Sequence, residues 1–104
     1  MPIQEMLGKE IHVDDEGYLT DYEEWDEKLG AELAKHIGIE MSEQHWKLIR
    51  FLREDFAAQG VTATTRRVDA TGGFPVKLQF ELFPGKPAKK MAYVAGLPKP
   101  AGCV

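Results

Sequence analysis

The sequence predicts a small, mainly helical domain, α+β by strict count, with a hairpin at one end and an arm at the other. Three observations predict it. Apolar residues recur at intervals of three and four over two long segments, 20–38 and 42–60. Near the start, Ile11 and Val13 alternate with polar neighbours, as in a half-buried strand. From Gly96 onward, proline and glycine deny the chain both helix and sheet. The 104 residues suit one domain with a single modest core. Its expected extent is 1–104, with 96–104 as a mobile arm.

The elements follow in order. Apolar pieces around Ile3–Met6 and Ile11–Val13 flank Gly8, which supplies turn chemistry for a hairpin. Thr20, with Glu23 three residues on, has a capping-box pattern and is expected to open the first helix. Tyr22, Trp25, Leu29, Leu33 and Ile37 line its inner face, and Gly38 ends it. Ser42 is expected to cap a second helix with Trp46, Ile49, Leu52 and Phe56 inside, Arg53 lying beside Leu52, and Gln59-Gly60 as its stop. Arg66–Ala70 suits a short helix before Gly72-Gly73. Val76 to Leu82 alternates apolar and polar residues, which by period alone is a strand. Phe83-Pro84-Gly85 breaks the chain. Ala88–Ala95 reads as a helix, with Pro87 at its first turn and Gly96 just past its end.

Composition narrows the function. A formal charge of −4 argues against a general nucleic-acid binder, whose affinity rests on neutralising phosphates. Arg66 and Arg67 are the residues that a DNA contact would use. No apolar leader or long apolar run is visible, so a soluble, cytoplasmic protein without membrane insertion is expected. One cysteine cannot close an intramolecular disulfide. His12, His36 and His45 lack metal-ligand spacing, so no metal or cofactor is expected. The cysteine, Cys103, sits in Lys99-Pro100-Ala101-Gly102-Cys103-Val104, outside any periodic apolar run. A thiol destined for a core would lie within one, so Cys103 is expected to be presented and to react inside a partner.

Leu82-Phe83-Pro84-Gly85 with Pro87-Ala88-Lys89, followed by Ala95-Gly96-Leu97-Pro98-Lys99-Pro100 and Gly102-Cys103-Val104, resembles the carboxyl end of the DsrC/TusE family. Upstream, Asp15-Glu16-Gly17-Tyr18-Leu19, Trp25, Glu43, His45-Trp46 and Phe51-Leu52-Arg53-Glu54 agree with it in order. The resemblance implies a helix-turn-helix-like element in the second half and places Val76–Phe83 on a helix, against the local period. It further implies a sulfur carrier that holds a persulfide on Cys103 and is a shuttle more than a stand-alone catalyst. Its implied donor is a TusBCD/DsrEFH-like sulfurtransferase complex, and its acceptor a tRNA-thiolating enzyme or a sirohaem sulfite reductase. Relatives with two arm cysteines can join them or bridge a sulfur atom. Here Ala92 occupies the second position, so one chain cannot form that bridge. The alternatives are an accessory (gamma) subunit docking its arm into a sulfite reductase, and a single-cysteine regulatory paralogue.

The arm's chemistry can be read further. Full extension from Gly96 to Cys103 reaches about 23–25 Å. Pro98 and Pro100 stiffen the arm and reduce the entropy lost on entering a channel, and Gly102 narrows its tip. Lys89 and Lys90 precede the arm and could meet an acidic rim on a partner, or simply face water. The Val104 carboxylate disfavours a thiolate one residue away, and Lys99 is too loosely placed to offset it. A basic partner pocket is therefore expected to bind that carboxylate and activate the thiol. Amidating the Val104 carboxyl should slow sulfur transfer to or from a partner enzyme, and unchanged transfer rates would remove this role from the carboxylate.

Overall fold

In the computed structural model the described residues are 3–6 and 9–98. Two strands, β1 (Ile3–Met6) and β2 (Lys9–His12), pair antiparallel with Met6 opposite Lys9 and Ile3 opposite His12. The hairpin expected from Gly8 and the Ile11/Val13 alternation is present, and Ile11 and Val13 are buried. Val13 then bridges to Leu19 around a turn that Asp14 organises. Its carboxylate accepts from the amides of Glu16 and Tyr18, each at 2.9 Å.

Five α-helices follow: α1 (Glu27–His36), α2 (Glu43–Gln59), α3 (Thr65–Gly72), α4 (Val76–Leu82) and α5 (Pro87–Ala95). The first departs from expectation. Instead of opening at Thr20, the chain makes a short 3-10 turn at Tyr22–Glu24, and α1 begins only at Glu27. Two aspartates cause the split. Asp21 accepts from the Glu23 amide at 3.0 Å, and Asp26 accepts from the Leu29 amide at 2.8 Å, so each caps its own segment. Between them Trp25 is extended, which turns its indole inward, away from the helix face.

Helix α2 starts after Ser42 as expected. His45 sits at its third position, where its Nδ1 accepts from the Ser42 amide at 3.0 Å. A nitrogen that accepts there leaves Nε2 as the protonated one, and Nε2 donates to the Leu82 carbonyl at 2.8 Å. His45 also meets the Phe83 ring edge-on at 5.1 Å. This buried residue thus ties the start of α2 to the end of α4. The inner stripe of α2 centres on Leu48, Ile49 and Leu52, all without exposed surface; Trp46 and Phe56 lie at its edges, half-buried.

Helices α3 and α4 flank residues 73–75 and form the helix-turn-helix-like element. Helix α4 overrules the strand period of its sequence. Its alternating apolar residues do not share a buried face: Phe80 is 49 % exposed, while the polar Gln79 is fully buried. The Gln79 amide donates to the carbonyls of Thr65 (3.0 Å) and Phe74 (2.8 Å), fastening α4 to the start of α3. Asp55 on α2 accepts three hydrogen bonds from the guanidinium fork of Arg67 on α3, at 2.7 to 3.1 Å. This strong geometry joins α3 to the long helix. The bonds to Asp55 also raise the Arg67 pKa above the ordinary guanidinium value.

Helix α5 lies at the centre, packed against α1, α2 and α4. Met91, Ala92, Val94 and Ala95 have no exposed surface. The whole domain is therefore built around the helix that leads to the arm.

Candidate functional site: the root of the carboxyl-terminal arm

The structure places the start of the expected arm inside the core. Gly96 follows α5 in a left-handed conformation (φ 69°), where glycine avoids the clash of a Cβ with its own backbone. Its amide returns to the Tyr93 carbonyl at 3.3 Å, and the Leu97 amide returns to Ala92 at 3.0 Å. Leu97 is itself fully buried. This is a helix-end motif in which a glycine and an apolar residue close the last turn. At the place where the sequence starts the arm, Gly96 and Leu97 are thus packed into the body, with their backbone amides satisfied within it. Pro98 is exposed, yet its carbonyl accepts from the Thr62 hydroxyl at 2.8 Å. Lys99, Pro100, Gly102, Cys103 and Val104 lie outside the described residues.

Trp25 and Arg53 hold this root. The Trp25 indole N–H donates to the Val94 carbonyl at 2.8 Å. The Arg53 guanidinium donates to the Ala95 carbonyl at 2.7 Å and to the Tyr22 carbonyl at 2.9 Å. Two of the last carbonyls of α5, which no helix turn can satisfy, are therefore taken by side chains. A cation at that end also opposes the negative pole of the helix. The guanidinium lies 3.9 Å from the Tyr22 ring centre and 4.2 Å from that of Trp25, each contact worth about 0.5–2 kcal/mol. Burial lowers the Arg53 pKa from its ordinary value, and Tyr22 and Glu23 counter that effect.

Close approach explains two glycines. A Cβ on Gly96 would lie 2.4 Å from Trp25 Cδ1, and one on Gly30 would lie 2.8 Å from Trp25 Cζ2. The indole is thus enclosed between the α1 backbone and the arm root. Gly30 interrupts a helix, where glycine costs about 0.5–1 kcal/mol relative to alanine, and the room it leaves for Trp25 accounts for its presence.

Lys89 and Lys90 are both half-buried. The Lys90 ammonium donates to the Pro84 carbonyl, which fastens the turn before α5. With Glu16, Tyr18, Ile37 and Tyr93, the two lysines line an open depression of about 320 Å³. Burial raises the pKa of both Tyr18 and Tyr93, with Glu16 and Asp14 adding to the effect at Tyr18. The two phenols are therefore neutral near pH 7, and their rings meet edge-on at 6.1 Å. Ala92, where two-cysteine relatives carry a thiol, has no exposed surface.

Sequence spacing missed one cluster. His12, Asp21 and Glu24 bring ligand-type atoms within 4.8 Å of one another. His12 Nδ1 lies 2.6 Å from Glu24 Oε2, and Asp21 caps the 3-10 turn, so these groups serve to join β2 to that turn. The roles of Arg53 and Thr62 were also missed. For Arg53 a signal existed, since it is a cation beside the inner stripe of α2 in a chain with Tyr22 and Trp25 upstream. For Thr62 there was none. Among the described residues, no helix is long and apolar enough to cross a membrane.

The description "DsrC like protein" matches residues 5–104. The chain belongs to the DsrC-like family. It is 36 % identical over 106 residues to the sulfurtransferase TusE of Salmonella typhimurium, covering 93 % of this chain and 95 % of that protein. Among solved structures, the oxidised gamma-subunit of the dissimilatory sulfite reductase (DsrC) from Archaeoglobus fulgidus superposes with a TM-score of 0.78 at 39 % identity. That match covers 99 % of this chain and 100 % of the other. The solution structure of Allochromatium vinosum DsrC gives 0.80 at 37 % identity, over 98 % and 97 %. Family membership and the TusE relatives support reading this chain as a sulfur carrier.

The enclosure of Trp25 by Gly96 has a measurable consequence. Gly96→Ala should lower the free energy of unfolding in urea by about 2–5 kcal/mol, combining left-handed strain with overpacking. Gly38→Ala is the control, since Gly38 has a similar φ of 75° but nothing within 4 Å. It should cost only about 1–2 kcal/mol. Equal losses would mean that Trp25 yields without cost.

Proposed function

We propose that this chain relays sulfane sulfur as a persulfide on Cys103, using the folded body to hold the base of the arm. The observation that carries this reading is the locked end of α5: Gly96 and Leu97 are enclosed, and the chain's single thiol follows within seven residues of Gly96. A carrier needs a thiol that travels on a short tether from a rigid platform, since a short tether raises the effective concentration at a docked partner.

The chemistry balances without an outside oxidant. The Cys103 thiolate attacks the terminal sulfur of a donor persulfide, a new S–S bond forms, and the donor S–S bond breaks. The electron pair of the broken bond leaves with the donor as its thiolate. Delivery repeats the exchange with the acceptor. The buried Ala92 favours this single-thiol relay over a bridge between two arm cysteines. The donor is a sulfurtransferase complex, the acceptor a tRNA-thiolating enzyme or a sulfite reductase, and the setting the cytoplasm. Weak phosphate affinity is expected, because Arg67 is engaged by Asp55.

A second reading follows from the likeness to the Archaeoglobus fulgidus gamma-subunit. In it the arm docks into a sirohaem sulfite reductase as part of an accessory subunit. The readings separate at Cys103, because docking would survive Cys103→Ser while sulfur transfer would not.

Intact-mass measurement after incubation with a persulfide-loaded sulfurtransferase tests the relay. The expected result is a gain of about 32 Da, removed by reductant and absent in Cys103→Ser. No adduct with a donor shown to load another thiol acceptor would contradict the relay and favour docking.

A further inference from the structure

We propose that Thr62 is a positioning residue that moves the arm's swivel point from Gly96 to the far side of Pro98. Thr62 lies between α2 and α3 and is only 7 % exposed. A buried hydroxyl needs a partner, and its partner is the Pro98 carbonyl at 2.8 Å. Three successive residues are then attached to the body: Gly96 and Leu97 through their amides and Pro98 through its carbonyl. Leu97 is constrained further, because a residue before proline is held to extended conformations.

The consequence is a shorter tether. Counted from Pro98, Cys103 can reach about 16–18 Å, against about 23–25 Å from Gly96. Pro98 is also held in a set place, beside the loop between α2 and α3. A shorter, aimed tether samples less volume and finds a docked pocket more often. Resting on the carrier reading, Thr62 thus contributes to partner encounter and leaves the thiol's own reactivity unchanged.

Thr62→Val keeps the branched shape and removes the hydroxyl, while Thr62→Ser restores it. With a persulfide-loaded sulfurtransferase, Thr62→Val should lower kcat/KM for loading by about three- to tenfold, mainly through KM, the scale of one lost hydrogen bond. Thr62→Ser should transfer as the unaltered chain does. Reaction of Cys103 with a small aromatic disulfide should be the same in all three, which separates positioning from a general loss of structure. Amide relaxation gives a readout independent of sulfur, with order parameters at Leu97 and Lys99 falling in Thr62→Val and recovering in Thr62→Ser. Unchanged order parameters in Thr62→Val would overturn the anchor, as would unchanged loading of a chain that accepts sulfur. If the unaltered chain accepts no sulfur, the relay fails, and the order parameters alone still decide the anchor.

Discussion

Much of this fold depends on one guanidinium. Arg53 lies against the rings of Tyr22 and Trp25 and donates to the carbonyls of Tyr22 and Ala95. It therefore joins three parts of the chain that are distant in sequence: the 3-10 turn, the middle of α2 and the end of α5. Tyr22 completes the circuit, donating its hydroxyl to the Arg53 carbonyl at 3.1 Å and stacking on Phe56 at 5.7 Å. A lysine could not do the same, since it lacks both the planar face for stacking and the fork of donors. Burying a cation is costly unless its donors are satisfied. Here two backbone carbonyls and two ring faces meet that requirement.

That constraint explains irregularities elsewhere. The first helical segment is broken at Trp25 because the indole must turn inward to reach Val94. The break needs two caps, supplied by Asp21 and Asp26. The indole needs space, supplied by Gly30 and Gly96. A central helix of small residues, Ala88, Ala92 and Ala95, allows close packing around α5 and leaves its end with no slack. The end of α5 and the two residues after it are thereby held firmly in the body.

The hairpin, α2, α3 and α5 were legible in the sequence because local signals and burial agree there. Ser42 caps, Gly60 and Gly73 end their helices, and Ile49 and Leu52 face inward. The segment from Thr20 misled because Tyr22, Trp25 and Leu29 keep a helical period across a break that Asp26 creates. The segment Val76 to Leu82 misled for the opposite reason: its alternation is real, but the buried position belongs to Gln79, whose amide bonds no periodicity can register. The family resemblance places that segment on a helix, as the structure does. The motif around Cys103 singles out the residue proposed to react, and the sequence starts the arm at Gly96, which the structure packs into the body. A glycine two residues before a proline reads as a hinge in sequence, whereas here it is the narrow place where Trp25 passes.

The most direct test of a locked root is native-state hydrogen exchange at the amides of Gly96 and Leu97. Both are hydrogen-bonded and buried, so they should open only with the whole domain. Their protection should then match that of Leu48 and Leu52 in α2 and fall with it, step for step, as denaturant is added. Exchange at the rate of exposed loop amides such as Glu40, with α2 still protected, would contradict the account. The arm would then swing from the end of α5, and the clamp of Arg53 and Trp25 would not set where the thiol begins its reach.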